Sequence, residues 1–206
     1  MTTPSRSRSQ GFTLIELLVV MAIIATLAGL GMVGIPAILR QKDKIAAKDR
    51  LASIYKMLTI YHTDHKKWPK ANGAGFCLAI WESKIVDHTM KDAEIFFDPS
   101  LEGGPDAEFT NMSEEGIDWT GPANAKIYRP SMRNANAKVI VCNKIPLVQD
   151  EEDLDLFPHA AKGLVYLTAG GATEWMDAGE WSEDWPVIGE ESSVEMFRPM
   201  QVYEIQ

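Results

Sequence analysis

The chain has 206 residues, of which 46% are hydrophobic and 24% are charged, and its formal net charge at pH 7 is −9. This composition allows a folded domain, and the excess of acidic residues argues against a nucleic-acid surface, which needs clustered Lys and Arg. The two cysteines are too few for a multi-cysteine zinc site.

The N-terminus joins a short basic leader to a long apolar run. Arg6 and Arg8 give the leader its positive charge, the leader ends at Gly11, and the apolar run begins at Phe12. No charged side chain occurs between positions 17 and 39. A helix that rises about 1.5 Å per residue makes this stretch roughly 35 Å long, enough to cross a hydrocarbon core of about 30 Å. We therefore predict a helix that spans a membrane.

Glu16 is the unusual residue of the apolar run. An ionised carboxylate in hydrocarbon is costly and needs a specific partner. Neither ordinary explanation of the run accounts for it. A secretory signal peptide has an apolar stretch of only about 7–15 residues, and a plain signal anchor needs neither an acid nor the Gly11-Phe12 pair. We therefore expect a defined group to pair with Glu16.

The segment GFTLIELLVV, from Gly11 to Val20, resembles the N-terminal signature of type IV prepilins and pseudopilins. The resemblance implies that prepilin peptidase cleaves after Gly11 and methylates the new N-terminal residue, Phe12. It also implies that the apolar segment stays in the lipid bilayer as an anchor and later forms the core of a filament. In such a filament Glu16 meets the N-terminal amine of a neighbouring subunit and guides assembly.

The charges after the apolar run give a conflicting signal about orientation. Five basic residues outnumber two acids there, and by loop charge alone this side would be cytoplasmic. The basic residues are Arg40, Lys42, Lys44, Lys48 and Arg50. The prepilin resemblance implies the opposite orientation. We follow it and expect a single-pass protein of the bacterial inner membrane whose C-terminal head lies in the periplasm or at the cell surface.

Beyond the membrane the same helix is predicted to continue as an amphipathic stalk. Its apolar residues recur at alternating spacings of four and three, which is typical of one buried helical face. They are Ala47, Leu51, Ile54, Leu58 and Tyr61. Trp68-Pro69 should end the helix, because the residue before a proline avoids the helical region. The predicted segments are a leader (1–11), a transmembrane and stalk helix (12–67) and a head (68–206).

The head is predicted to have an α+β fold, with a small antiparallel sheet and long loops packed on the helix. A short helix is expected from Phe76 to Val86, and irregular structure from Asp98 to Pro122. Strands are expected at Lys126 to Tyr128 and at Lys138 to Cys142. A β-hairpin with a Gly-containing turn is expected to join residues 163–168 to residues 173–176.

Two head segments carry further resemblances. The segment YHTDHKKWP, from Tyr61 to Pro69, is similar to the end of the stalk in the G-type major pseudopilins of type II secretion. The second segment begins at His159 and reaches Ala169-Gly170 after nine residues. It is similar to the His-x9-Asp-Gly signature of a group of pilin-like proteins. Glu174-Trp175 matches the Glu-Trp pair that ends the segment in those proteins. Ala169 replaces the Asp of the signature, so any role of that carboxylate is lost, whereas the turn is expected to remain.

The resemblance to G-type major pseudopilins implies calcium in a loop of the head. Calcium binds six to eight oxygens from carboxylates and carbonyls on a flexible loop. The candidate ligands are Asp150, Glu151, Asp153 and Asp155. Their order does not match a recognised calcium loop, so a solvated acidic surface is the alternative.

Two other candidate sites have simpler explanations. His62 and His65 are three residues apart on the helix and could reach one ion, but Lys66 beside them would repel a cation, so we expect a solvated helix end. Cys77 and Cys142 either form one disulfide in an oxidising compartment or are two small buried apolar side chains. The sequence leaves both alternatives open.

No catalytic signature was found in the sequence, neither a Gly-x-Ser-x-Gly elbow, a phosphate-binding loop nor a His-Glu-x-x-His motif, so we do not expect an enzyme. The resemblance implies a structural subunit of a type II secretion pseudopilus or a type IV pilus-like filament. Its partners would be prepilin peptidase, copies of itself or other pseudopilins, and an inner-membrane assembly platform. The alternative is a monomeric binding module of the cell envelope that uses the same N-terminal anchor.

Overall fold

The computed structural model describes residues 12–99, 104–105, 112–125, 135, 138–144, 163–177 and 195–200. Within the first range, the side chains of residues 30–37 and of Arg40 lie outside the description. The chain divides into two compact units, Met1–Gln41 and Lys42–Gln206. The first helix, α1 (Leu14–His65), contributes residues to both units.

The part of α1 in the second unit has one buried face. Four apolar residues on it are fully buried, with the predicted alternation of four- and three-residue spacings, and they are Ala47, Leu51, Ile54 and Leu58. Tyr61, the next residue of the series, is only half-buried. The helix ends at His65, and Lys66 follows with a φ of 55°, a left-handed conformation that commonly ends helices. The predicted stalk helix is confirmed to within two residues of its end.

Helix α2 (Ala74–Glu82) covers the position of the predicted short helix but starts earlier and ends earlier than expected. It ends before Val86 because Lys84 has a φ of 59°, which the α-helix cannot accommodate. Phe76, Ile80 and other residues on its inner face are buried.

Helix α3 (Met90–Ala93) and a 3-10 turn (Glu94–Phe96) follow α2 and were not predicted. Thr89 caps α3, since its hydroxyl accepts a hydrogen bond from the Asp92 N–H at 3.2 Å and donates one to the Asp92 carboxylate at 2.6 Å. The Thr-x-x-acid spacing is that of a capping box, but here the acid bonds the Thr89 hydroxyl and not the Thr89 backbone N–H.

Among the described residues, the sheet contains four antiparallel strands in the order β1-β2-β3-β4. They are β1 (Trp119–Thr120), β2 (Val139–Asn143), β3 (Gly163–Thr168) and β4 (Thr173–Asp177). The register places Cys142 opposite both Thr120 and Tyr166, and Tyr166 opposite Glu174. The predicted second strand and hairpin are confirmed.

The prediction of irregular structure from Asp98 to Pro122 is wrong at β1, because pairing with β2 makes Trp119 and Thr120 a short strand. A two-residue strand has no periodicity that a sequence could show. The Trp119 side chain is fully buried, and its Nε1–H donates to the Ile95 carbonyl at 2.7 Å. The strand predicted at residues 126–128 lies outside the described residues.

The turn between β3 and β4 packs directly on α1. The Tyr55 hydroxyl donates to the Ala169 carbonyl at 3.4 Å, and Gly171 has a φ of 87°. A Cβ on Gly171 would lie 2.6 Å from Cε1 of Tyr55. The position therefore needs glycine twice, for its left-handed backbone and for the close approach of the ring.

One hydrophobic cluster joins the buried face of α1 to α2 and to the sheet. Besides the α1 residues it includes Phe76, Trp119, Ile140, Val165 and Leu167. The second unit is thus a small antiparallel sheet with helices packed around one core, and the predicted α+β class is confirmed.

The Gly171→Ala variant should be less stable than the wild type by about 1–3 kcal/mol, because the substitution combines a strained backbone with overpacking against Tyr55. Chemical denaturation followed by circular dichroism measures this difference. Gly116→Ala is the matched control, since the nearest atom to its added Cβ would be 3.7 Å away. Equal losses in the two variants would contradict the packing described for the turn.

Candidate functional site

Glu16 lies in the first turn of α1 and is held by Thr13. The Thr13 N–H and the Thr13 hydroxyl both donate to Glu16 Oε2, each at 2.8 Å. In return, the Glu16 N–H donates to Thr13 Oγ1 at 3.3 Å. This reciprocal arrangement is a capping box, and it places the carboxylate at the positive end of the helix dipole.

The capping box orients the Glu16 carboxylate through one of its oxygens, Oε2, and leaves the other oxygen, Oε1, able to accept a further hydrogen bond. Oε2 receives both bonds from Thr13, whereas no donor to Oε1 occurs among the residues that the structure describes. Phe12, which precedes Thr13, is 85% exposed. Gly11 lies outside the described residues. The first turn of α1 therefore presents an oriented carboxylate oxygen that can accept a further hydrogen bond from a cation.

The structure shows a partner for Glu16 within its own chain, Thr13, which the sequence analysis did not name. The signal was present in the sequence, because Thr13 and Glu16 have the Thr-x-x-Glu spacing that precedes an apolar helix in a capping box. A specific partner for Glu16 was expected, and the nearest one is Thr13. The predicted pairing with a neighbouring amine remains a prediction, because the structure contains a single chain.

Large apolar side chains precede and follow Glu16 along the first unit. The exposed large hydrophobic residues between Phe12 and Leu39 have between 48% and 85% of their surface accessible. In the described part of the chain, no helix combines the length and the apolarity that crossing a membrane requires. The predicted span includes residues 30–37, whose side chains lie outside the description.

Two of the basic residues that follow the apolar run, Lys44 and Arg50, bind other residues of the second unit. Lys44 Nζ lies 2.8 Å from Asp177 Oδ1 and 4.3 Å from the centroid of the Trp175 ring. The same Asp177 oxygen accepts a 2.6 Å hydrogen bond from Trp175 Nε1, and the bond from Lys44 is the main reason that the pKa of Asp177 is lowered. Arg50 Nη1 donates to the Phe97 carbonyl at 2.8 Å.

The histidines at the end of α1 have aromatic neighbours. The His65 ring stacks on Tyr61 with 4.2 Å between ring centroids, and the His62 ring lies 4.9 Å from that of Trp68. Within the described ranges, no group of three or more His, Cys, Asp or Glu side chains could hold a metal ion. The calcium candidates Asp150, Glu151, Asp153 and Asp155 lie outside those ranges, as does His159.

Cys77 and Cys142 are both buried and both free, so the structure contains no disulfide between them. Of the two alternatives that the sequence left open, the structure has two buried thiols. Burial raises the pKa of the Cys77 thiol to about 12 and also raises that of Cys142. Both therefore stay protonated at neutral pH and act as small core residues.

Comparison with known proteins identifies the N-terminal segment. Residues 6–32 match the Prokaryotic N-terminal methylation motif, the prepilin-type signal of pilins and pseudopilins. The matched range contains the Gly11–Phe12 junction and the Thr13–Glu16 capping box. No curated protein and no solved structure matches the chain significantly. The motif indicates a type IV pilin-like or pseudopilin precursor.

The Thr13→Val variant should expose the Glu16 amide, because it removes the hydroxyl that accepts this hydrogen bond. A lost N-cap costs about 1 kcal/mol, so amide hydrogen exchange at Glu16 should accelerate roughly fivefold. Thr26→Val is the control, since its hydroxyl donates to the Ile23 carbonyl farther along the same helix. An unchanged exchange rate at Glu16 in Thr13→Val would show that the cap does not form in solution.

Proposed function

We propose that this protein is the precursor of a filament subunit, of either a type II secretion pseudopilus or a type IV pilus-like fibre. The observation that carries the proposal is the methylation motif at residues 6–32. In this proposal, prepilin peptidase cleaves after Gly11 and methylates the amine of Phe12. The methylated amine keeps its positive charge and becomes the first group of the mature chain. The role is structural and not enzymatic.

The capping box supports an assembly role for Glu16. Thr13 fixes Oε2, so Oε1 is oriented before a second subunit arrives, and less side-chain entropy is lost on binding. The ammonium of a neighbouring Phe12 supplies both the charge and the donors that this oxygen can accept. A buried ion pair of this kind specifies register more than it stabilises, because desolvation offsets most of the attraction. Glu16 would therefore set how far one helix slides along the next.

The exposed apolar surface of the first unit supports anchoring before assembly. The described large hydrophobic side chains from Phe12 to Leu27, and those of Ile38 and Leu39, are accessible. So large an exposed apolar area in one segment is unfavourable in water and marks an interaction surface. We propose that the segment lies in the inner membrane as a single span, and that neighbouring helices replace the lipid when subunits assemble. Its partners are the peptidase, copies of itself or other pseudopilins, and an assembly platform in the same membrane.

The length of the segment after the apolar run weakens the orientation that loop charge suggests. The positive-inside rule applies to short loops of up to about 60 residues, because long domains cross the membrane largely regardless of their charge. The second unit, Lys42–Gln206, is much longer than such a loop. The prepilin-type motif therefore decides the orientation in this proposal. The head would lie in the periplasm or at the cell surface.

The Glu16→Gln variant separates charge pairing from helix capping. Gln can still accept the bonds from Thr13 at this position of a capping box, but it cannot neutralise an amine. We expect cleavage and head folding to persist and the amount of assembled filament to fall at least about tenfold, because one charge of a buried pair is left alone. Filaments are quantified by shearing and immunoblotting, and by electron microscopy.

Glu174→Gln is the matched control, since Glu174 is an exposed acid on β4 in the second unit. It should assemble like the wild type. Wild-type filament levels in Glu16→Gln would contradict the charge pairing. Normal cleavage with no filament in the wild type itself would instead favour the monomeric, membrane-tethered binding module.

A further inference from the structure

Helix α1 has an exposed side within the second unit, away from the face that the core buries. The residues on this side recur at spacings of three and four, so they lie along one line of the helix. We call them the outer face, and they are Lys42, Ile45, Asp49, Ala52 and Lys56. The three charged residues are exposed, Ala52 is half-buried, and 52% of the surface of Ile45 is accessible. The second unit thus leaves this face largely uncovered.

The charges of the outer face alternate in sign at intervals of seven residues. Lys42 is positive, Asp49 is negative and Lys56 is positive. A charge on a helix can pair with an opposite charge three or four residues away, but at those positions all three have only uncharged neighbours. Among the described residues, none of the three takes part in an ion pair. The helix therefore presents three charges that can pair with another molecule.

This pattern is complementary to itself after a shift along the helix axis. Two parallel copies at the same level would place like charges side by side, which is unfavourable. A displacement of seven residues, about 10.5 Å, brings Lys42 of one copy level with Asp49 of the other, and Asp49 level with Lys56. It also brings Ile45 level with the small side chain of Ala52. A displacement of fourteen residues would again place Lys42 beside Lys56.

We propose that the outer face binds a second, parallel copy of this chain that is displaced by seven residues. The inference rests on the proposed function, because a shared membrane anchor is what makes the copies parallel. Each copy then uses different residues toward its two neighbours. Such heterologous contacts continue into an open helical assembly and do not close as a dimer. The outer face would therefore set the axial displacement of the stalks.

The contact contributes selectivity more than strength. Single exposed ion pairs stabilise proteins little, but the same two pairs recur at every subunit of a filament. A wrong displacement replaces both attractive pairs with repulsive ones or with none. Each subunit of a helical filament has several neighbours, so the contact at the outer face and the one at Glu16 do not require the same neighbour.

Charge inversion tests whether the outer face recognises a copy of itself. Asp49→Lys makes all three charges positive, so both pairs become repulsive, and the amount of assembled filament should fall about tenfold. The triple variant Lys42→Asp, Asp49→Lys and Lys56→Asp recreates the alternation with opposite signs. Its assembly should return to the wild-type level, because every copy carries the inverted pattern. Filaments are quantified by shearing and immunoblotting.

Asp64→Lys is the matched control, because it makes the same change of charge on the same helix but outside the outer face. It should assemble like the wild type. Circular dichroism checks that the head of each variant is folded. A folded and cleaved triple variant that assembles no better than Asp49→Lys would overturn the proposal, since the face would then bind something other than its own copy.

Disulfide cross-linking in intact cells measures the displacement itself. Ile45→Cys combined with Ala52→Cys should give a ladder of cross-linked multimers, because position 45 of one copy lies level with position 52 of the next. Ile45→Cys alone and Ile45→Cys combined with Ile60→Cys should give none. The native thiols, Cys77 and Cys142, are buried and serve as the background.

The cross-linking result separates this contact from the proposed function. Wild-type filaments without a ladder from the 45 and 52 pair would overturn the displacement and leave the filament role intact. Dimers from Ile45→Cys alone would also overturn it, because they require copies that are level or antiparallel. An absence of filaments in the wild type would overturn the proposed function and this contact with it.

Discussion

Helix α1 presents two kinds of apolar surface, which require two kinds of cover. In the second unit, the apolar face from Ala47 to Leu58 is fully buried by the chain's own helices and sheet. In the first unit, the described large apolar side chains from Phe12 to Leu27, and those of Ile38 and Leu39, are accessible. Burial of apolar surface is worth roughly 25 cal/mol per Å², so the head folds around the first surface. The second surface is what the proposed membrane and filament would cover.

In the proposed function, Glu16 connects these surfaces to assembly. An acid in an apolar segment is tolerated when hydrogen bonds satisfy it, and the capping box with Thr13 supplies these bonds within one subunit. The same bonds leave a carboxylate oxygen oriented for a cation. One residue can therefore serve two stages, first as part of a helix cap and then as the acceptor for a neighbouring amine. In the proposed function, the chemical partner of this second stage is the amine of Phe12.

The parts of the fold that were predictable have local sequence signals. The spacing of the α1 residues indicates its buried face, and Gly170-Gly171 indicates the hairpin turn. The parts that were missed depend on contacts between distant segments. Trp119 and Thr120 form a strand only because they pair with β2. The Asp98 N–H can bond to the Asp118 carboxylate only when these distant segments pack together in the core. The N-caps at Thr13 and Thr89 both had a local signal, the Thr-x-x-acid spacing, which hydrophobic periodicity alone does not reveal.

Assembly through Glu16 requires a mature chain that begins with the methylated amine of Phe12, which the carboxylate of Glu16 can recognise. This requirement can be checked by intact mass spectrometry of the protein extracted from membranes of a host with an active prepilin peptidase. We expect a mass equal to residues 12–206 plus one methyl group. A mass equal to the full chain, in cells that process another prepilin normally, would contradict it, because no free amine would then exist beside Glu16.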